Sequence, residues 1–74
     1  MFSYNITKNV SRASFEEVCT RIEAQYPNIE KEPIIEDVDG TQIQIYYLQR
    51  QKVKVINDYE VDAVYIDSDI ELKI

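Results

Sequence analysis

Few side chains in this sequence could carry out catalysis. The chain of 74 residues has no histidine and only one cysteine, so the commonest general base is absent and no internal disulfide can form. Cys19 follows Val18 on an apolar stripe, where a cysteine behaves as a small hydrophobic residue. Ser14 is placed to cap a helix and has no base near it in the sequence. We therefore expect a protein that is not an enzyme.

Two short acidic segments have the composition of cation sites. Residues 36–40 (EDVDG) begin like a calcium-binding loop, but the later ligand positions hold Gln44, Ile45 and Tyr47, which supply no bidentate carboxylate. Residues 67–69 (DSD) offer only two acids. Both segments are typical of turns. A phosphate-binding glycine loop is also excluded, because the chain has one glycine. We expect no metal and no cofactor.

Acidic residues outnumber basic residues by 14 to 8, which gives a net charge of −6. Arg50, Lys52 and Lys54 form the only basic cluster, so we do not expect direct binding to nucleic acid, which needs a concentrated basic surface. The sequence has neither a segment that could span a bilayer nor a secretory signal, which favours a cytoplasmic protein without membrane contact. The acidic residues that we expect to form a docking surface are Glu36, Asp37, Asp39, Asp67, Asp69 and Glu71.

Apolar and polar residues alternate through residues 41–74, which predicts four antiparallel strands joined as a meander. Loops at residues 49–51 and 57–59 and a turn at residues 67–68 would place apolar residues opposite one another. A shift of one residue in any pairing would turn this apolar face towards water. The residues expected on the face that packs on the helix are Ile43, Ile45, Tyr47, Val53, Val55, Val61, Ala63, Tyr65, Ile70, Leu72 and Ile74.

The N-terminal half supplies the elements that accompany this meander. Alternation over residues 2–7 predicts a first strand, and Ser14 with Glu17 forms a capping box before a helix that Pro27 ends. Residues 34–35 are a short strand candidate, and Gly40 is expected to adopt a positive φ angle. We predict one α+β domain over residues 1–74, in the order β-α-β-β-β-β-β, with one helix on a mainly antiparallel sheet and a C-terminal four-stranded meander. Periodicity leaves the position of the first strand open.

The predicted register leaves a second group of apolar residues on the side of the sheet away from the helix. Either residues 27–39 or the first strand cover this group, or it forms an interface with a second copy or with another protein. The predicted interface residues are Tyr46, Leu48, Ile56, Val64 and Ile66.

These patterns favour a small acidic protein, non-enzymatic and regulatory or protein-binding, that docks through the outer sheet face and forms a homodimer. The alternative is an acidic mimic of nucleic acid, encoded by a phage or plasmid, that inhibits a host nuclease or DNA-binding protein by occupying its basic groove. The predicted register places Lys54 opposite Asp62 and Asp62 opposite Lys73. That alternation of charge interrupts the uniform negative surface that a mimic needs.

Overall fold

A computed structural model describes all residues, 1–74. One helix packs on an antiparallel sheet of six strands in the order β1-β6-β5-β4-β2, with β3 also paired to β4, which confirms the predicted α+β class. The helix is not long and apolar enough to cross a membrane. The elements are β1 (Phe2–Thr7), α1 (Arg12–Gln25), β2 (Glu30–Lys31), β3 (Ile35–Glu36), β4 (Gln42–Leu48), β5 (Gln51–Asp58) and β6 (Ala63–Ser68).

Helix α1 begins one turn earlier than its predicted capping box. Ser11 is the N-cap, and its side-chain oxygen accepts a hydrogen bond from the amide of Ser14 at 3.1 Å. The prediction that Ser14 caps the helix is therefore wrong, because Ser11 already satisfies the first free amides. The helix ends at Gln25, two residues before Pro27, as expected. Its predicted apolar stripe is confirmed by the four buried helix residues, which are Phe15, Val18, Cys19 and Ile22.

The turn between β4 and β5 has two residues, where the sequence predicted a loop of three. Gln49 and Arg50 have φ angles of 51° and 71°, so both lie in the left-handed region that a tight type I′ hairpin requires. Tyr46 therefore lies opposite Val53, where the prediction placed Tyr47. This difference of one residue reverses the two faces of β4, since successive side chains of a strand point to opposite sides.

The connection between β5 and β6 is longer than predicted, which reverses β6 as well. The carboxylate of Asp58 accepts hydrogen bonds from the amides of Glu60 and Val61, and Asp62 completes the turn at a φ angle of 58°. Val55 consequently lies opposite Ile66. This residue is an odd number of positions beyond the partner that the predicted loop gave Val55, so each side chain of β6 points to the face opposite the predicted one. The expected charge row is also wrong, because Lys54 lies opposite Asp67 and the carboxylate of Asp62 binds the amide of Val10.

The predicted fourth strand of the meander does not form. After β6 the hydroxyl of Ser68 accepts from the amide of Ile70 and donates to its carbonyl, which turns the chain out of the sheet. Leu72 then enters the core beside α1, and its amide donates to the Tyr4 hydroxyl at 2.8 Å. Strand β1 takes the place beside β6 instead, with Tyr4 opposite Ile66. This settles the position of the first strand at an edge of the sheet.

Two predicted features of residues 30–40 are found in the structure. Ile35 lies in the short strand β3, although a further short strand, β2, precedes it. Gly40 has a φ angle of 95°. A Cβ atom at this position would lie 3.5 Å from the ring of Tyr59. The positive φ angle, and not this ordinary contact, is what makes a side chain unfavourable here.

The core lies between α1 and one face of the sheet, and a buried asparagine joins the two layers. Asn57 is fully buried, and its Oδ1 atom accepts a hydrogen bond from the amide of Ser11 at 3.0 Å. Its Nδ2 atom donates to Oε1 of Gln42 at 3.2 Å. Every buried side-chain polar atom has a partner. The apolar core consists of Phe15, Val18, Cys19, Ile22, Tyr46, Val53, Val55, Val64, Ile66 and Leu72.

We predict that the double variant Gln49→Asn, Arg50→Gly is more stable than the wild type by about 1 kcal/mol. A left-handed conformation costs ordinary residues roughly 1–2 kcal/mol each, whereas Asn-Gly adopts a type I′ turn readily. Urea denaturation measures the change. Gln51→Asn, a control at an exposed strand position, should give no such gain. Equal or lower stability of the double variant would contradict this account of the turn.

We predict that Asn57→Ala destabilises the fold by about 3 kcal/mol, because it leaves the Ser11 amide and the buried Gln42 amide group without partners. Urea denaturation followed by circular dichroism measures the loss. Asn28→Ala is the matched control, since Asn28 is exposed and lies in the turn after α1. A similar, small effect of both substitutions would show that Asn57 does not hold the helix to the sheet.

Candidate interaction surface

The side of the sheet away from α1, the outer face, carries apolar side chains in a line across four strands. The strand register places Ile43 beside both Ile35 and Ile56, and it places Ile56 beside Tyr65. Because residues directly opposite in a sheet point to the same side, these four side chains are contiguous. We refer to Ile35, Ile43, Ile56 and Tyr65 as the outer apolar row.

The members of the outer apolar row differ in how deeply they are buried. Ile56 is 3% exposed but does not belong to the core cluster beneath α1. Its neighbours Ile43 and Tyr65 are partly buried, and Ile35 at the end of the row is 48% exposed. The only helix lies on the other side of the sheet, so no element of the fold covers this face. The row is therefore a partly exposed apolar strip.

Two lysines border this strip. Lys54 lies opposite Ile45, and Lys52 lies opposite Tyr47, with all four side chains on the outer face. The ion pairs of the structure are Arg12–Glu16, Arg21–Glu17 and Lys31–Glu23, so neither of the bordering lysines is paired. Lys54 also lies opposite Asp67 in β6, but the ionic groups do not meet at salt-bridge distance. The outer face thus combines an apolar centre with free positive charge at its border.

The position of Tyr65 at the end of the row is fixed by a hydrogen bond. Its hydroxyl donates to Oδ2 of Asp58 at 2.8 Å. Partial burial and the negative charge of Asp58 raise the pKa of Tyr65 to about 12, so the phenol keeps its proton at neutral pH. The same bond, together with the amides of Glu60 and Val61, holds the pKa of Asp58 below its ordinary value. The ring is therefore presented in one orientation.

The structure corrects the predicted membership of the outer face. Tyr46, Val64 and Ile66 are 0% exposed and lie in the core against α1, so their predicted outward placement is wrong. Leu48 follows Tyr46 by two residues in β4 and therefore points to the helix side as well. Ile56 lies on the outer face as predicted. The outer residues that the sequence had placed against the helix are Ile43, Ile45, Tyr47, Ala63 and Tyr65.

The acidic residues expected to form one docking surface lie in two separate places. Glu36, Asp37 and Asp39 lie at the β3 edge, where both aspartates accept amide hydrogen bonds within the turn before β4. The other group lies at the end of β6, with Asp67 inside the strand and Asp69 and Glu71 after it. Asp69 is engaged locally, since its Oδ2 atom accepts the amide of Lys52 at 2.9 Å. The lysines of β5 separate the two groups, because β5 lies between β4 and β6.

A second polar cluster lies on the helix side. The hydroxyl of Tyr46 donates to Oε2 of Glu23 at 2.6 Å, and Nζ of Lys31 lies 3.1 Å from the same oxygen. The Tyr46 bond lowers the pKa of Glu23, and burial raises the pKa of Tyr46. Burial likewise raises the pKa of Cys19, so its thiol is protonated at neutral pH and is a poor nucleophile. This cluster fastens β2 to α1.

The structure has no group of three or more histidine, cysteine, aspartate or glutamate residues positioned to hold a metal ion. Comparison of the chain with protein-family models, with curated proteins and with solved structures found no match. A functional interpretation therefore depends on the geometry of the chain's own surfaces.

We predict that stability decreases as the pH falls below about 4, and that Asp62→Asn reduces this decrease. The amide of Val10 and the side chain of Asn9 hold the pKa of Asp62 below its ordinary value. A lowered folded-state pKa stabilises the fold above the unfolded-state pKa of about 3.9, and this contribution is lost as the pH falls through the folded-state value. Urea midpoints at several pH values measure the dependence.

Glu60→Gln is the control for this experiment. Glu60 is exposed and its carboxylate accepts no hydrogen bond in the structure. The Glu60→Gln variant should therefore lose stability at low pH to the same extent as the wild type. The same acid dependence in Asp62→Asn as in the wild type would show that Asp62 does not link the β5–β6 turn to the segment before α1.

Proposed function

We propose that this chain is a small non-enzymatic protein that binds a protein partner through its outer face. The observation that carries the proposal is the outer apolar row, which crosses four strands of a 74-residue chain with no element packed on it. Apolar side chains in such an arrangement gain free energy when a partner removes them from water, at roughly 25 cal/mol per Å² of area buried. A contiguous apolar patch on a small domain is typical of an interaction site.

The chemistry of the face also supports a particular kind of partner. Tyr47 and Tyr65 bring large contact areas with polar tips, and the side chain of Tyr65 is already held by Asp58. A side chain that is ordered before binding loses little entropy on binding. The unpaired Lys52 and Lys54 complement acidic groups. A surface with an apolar centre and acidic residues on one side fits this face.

The distribution of charge favours this proposal over mimicry of nucleic acid. A mimic that fills a basic groove presents a continuous series of negative charges. In this fold the acidic groups lie at two separate places with Lys52 and Lys54 between them, and Asp37 and Asp39 bond to amides of their own turn. The net charge of −6 then serves solubility.

The test is a binding experiment with extracts of the native source, in which Ile45→Glu and Ile35→Glu are compared with the wild type. Ile45 lies beside the row, and Ile35 forms its exposed end. We expect either substitution to weaken partner binding about tenfold or more, because it places a negative charge within or directly beside the apolar part of the contact. Recovery of the same partner by the wild type, quantified by mass spectrometry, measures the loss.

Val38→Glu is the matched control, since Val38 is fully exposed at the tip of the turn between β3 and β4. It adds the same charge to an apolar position outside the outer face, and it should retain the partner. Circular dichroism must show that all three variants are folded. Partner binding that persists in both Ile35→Glu and Ile45→Glu would refute the assignment of the outer face.

A further inference from the structure

The two edges of the sheet differ in how well they are protected from pairing with another strand. At one edge β4 is covered by β2 and β3, which have only two residues each and carry Glu30, Lys31 and Glu36. Pro33 lies between them. Short strands, charges and proline are the devices by which proteins block edge pairing. This edge is therefore protected against extension of the sheet.

The other edge is β1, and it has none of these devices. Its six residues, FSYNIT, include no charge and no proline, and β1 has a neighbour, β6, on one side only. A strand in this position presents a row of backbone groups that can pair with another chain. A register irregularity between Asn5 and Thr7 limits the regular part of this edge to the preceding residues.

The sheet ladder shows which backbone groups of β1 point outwards. The amide of Asp69 donates to the carbonyl of Lys52, so these two residues stand at a hydrogen-bonded position of the β5–β6 ladder. In an antiparallel ladder bonded pairs alternate, so Ile66 and Ser68 bond towards β1. Their partners there are Tyr4 and Phe2. The intervening residues of β1, Ser3 and Asn5, therefore direct their amide and carbonyl groups to the free edge.

We propose that β1 is a homodimerisation site, at which the β1 strands of two copies pair antiparallel about Tyr4. In this register Tyr4 lies opposite Tyr4 of the second copy, and Ser3 exchanges hydrogen bonds with Asn5 of the second copy. Phe2 then lies beside Ile6 of the second copy, which stands within the register irregularity and packs against the core on the helix side. Apolar residues therefore meet apolar residues on the helix side, and polar residues meet polar residues on the outer side. The segment is self-complementary, which is the property that a two-fold interface requires.

The exposure of β1 side chains is consistent with this occupant. Phe2 is 39% exposed on the helix side, and Tyr4 and Ile6 are only partly buried although they pack against the core. A second copy would place its own apolar residues against them. The paired segment itself contains no charged residue, and the nearest carboxylate is that of Asp67, which accepts the Ser3 hydroxyl at 3.1 Å. This carboxylate and the net charge of −6 cause two copies to repel each other. Salt screens such repulsion, because the Debye length falls from about 10 Å at 0.1 M to about 3 Å at 1 M.

This dimer is independent of the proposed partner site. A two-fold axis that pairs antiparallel edge strands runs perpendicular to the sheet, so both outer apolar rows remain uncovered and lie on the same side. The dimer would then offer two copies of the docking surface to one partner assembly.

The test is the mass of the chain by light scattering over a range of concentrations, at low and high salt, for the wild type, Asn5→Pro and Asn5→Lys. We expect the wild type to dimerise with rising concentration and more strongly at high salt, and both variants to stay monomeric. Proline removes an amide that points to the free edge and so leaves the β6 pairing intact. Asn5→Lys adds charge to the edge and decides the question if Asn5→Pro fails to fold.

Ile45→Glu is the control, and it should dimerise like the wild type, because its substitution lies on the outer face and not at the β1 edge. A wild type that stays monomeric at all concentrations overturns the proposal. Undiminished dimerisation of folded Asn5→Lys overturns it as well, and loss of the dimer in Ile45→Glu would assign self-association to the outer face instead. A monomer that still binds a partner through the outer face leaves the proposed function standing.

A cysteine crosslink tests the register itself. In a Cys19→Ala background, oxidation of Tyr4→Cys should give a covalent dimer, because directly opposite residues in a non-bonded antiparallel pair lie about 4.5 Å apart at Cα, within reach of a disulfide. Thr7→Cys should give none, because this register places Thr7 opposite Met1 of the second copy. Failure of Tyr4→Cys to crosslink, or equal crosslinking of Thr7→Cys, overturns the two-fold arrangement about Tyr4.

Discussion

The orientation of β4 depends on the left-handed turn at Gln49 and Arg50, and the separation of core from outer face follows from it. Strand β4 has apolar residues on both sides. Tyr46 and Leu48 lie on one side, and Ile43 and Ile45 lie on the other. Hydrophobic burial alone therefore does not determine which side packs against the helix. The turn does choose, because a two-residue hairpin fixes which residues are opposite. It directs Tyr46 into the core, where its hydroxyl reaches Glu23, and it sends the isoleucines outwards. A loop of one more residue would reverse every one of these placements.

Much of the fold could be predicted from sequence, and the errors share a physical cause. Helical spacing identified the buried stripe of α1, alternation identified β1, and a lone glycine identified the positive φ angle at Gly40. The registers of β4 and β6 were not predictable in the same way, because Gln49, Arg50 and Asp62 adopt left-handed conformations that carry no glycine signal. The end of β6 was missed for a similar reason, since the turn there depends on the hydroxyl of a single serine, Ser68. A local turn that depends on one side-chain hydroxyl is not visible in periodicity.

For the candidate site, the sequence predicted that an apolar outer face exists but not which residues form it. A sheet with more apolar residues than one face can hold must present the rest on its other face, so an apolar outer face was predictable from composition and alternation. Its membership was not, because that depends on the registers, and only Ile56 was placed correctly. The buried asparagine Asn57 was also missed. The alternation of β5 places Asn57 on the inner face of the sheet. The neighbouring sequence, however, does not indicate that Asn57 forms hydrogen bonds with Ser11 and Gln42.

The positions of the charges relate the uncovered face to the uncovered edge. Charged side chains occupy the solvent side of α1, the β2 and β3 edge and the turns, and they are absent from β1 and from the outer apolar row. Charge is the simplest means of keeping a sheet from associating, through its edge or through its face. The chain has 30% charged residues, yet neither β1 nor the outer apolar row contains one, and the lysines of the outer face lie only beside that row. A strand added at the β1 edge would lie in the plane of the sheet, whereas a partner on the outer face would bind from a direction perpendicular to that plane. Self-pairing and partner docking can therefore occur on one molecule without competing for the same residues.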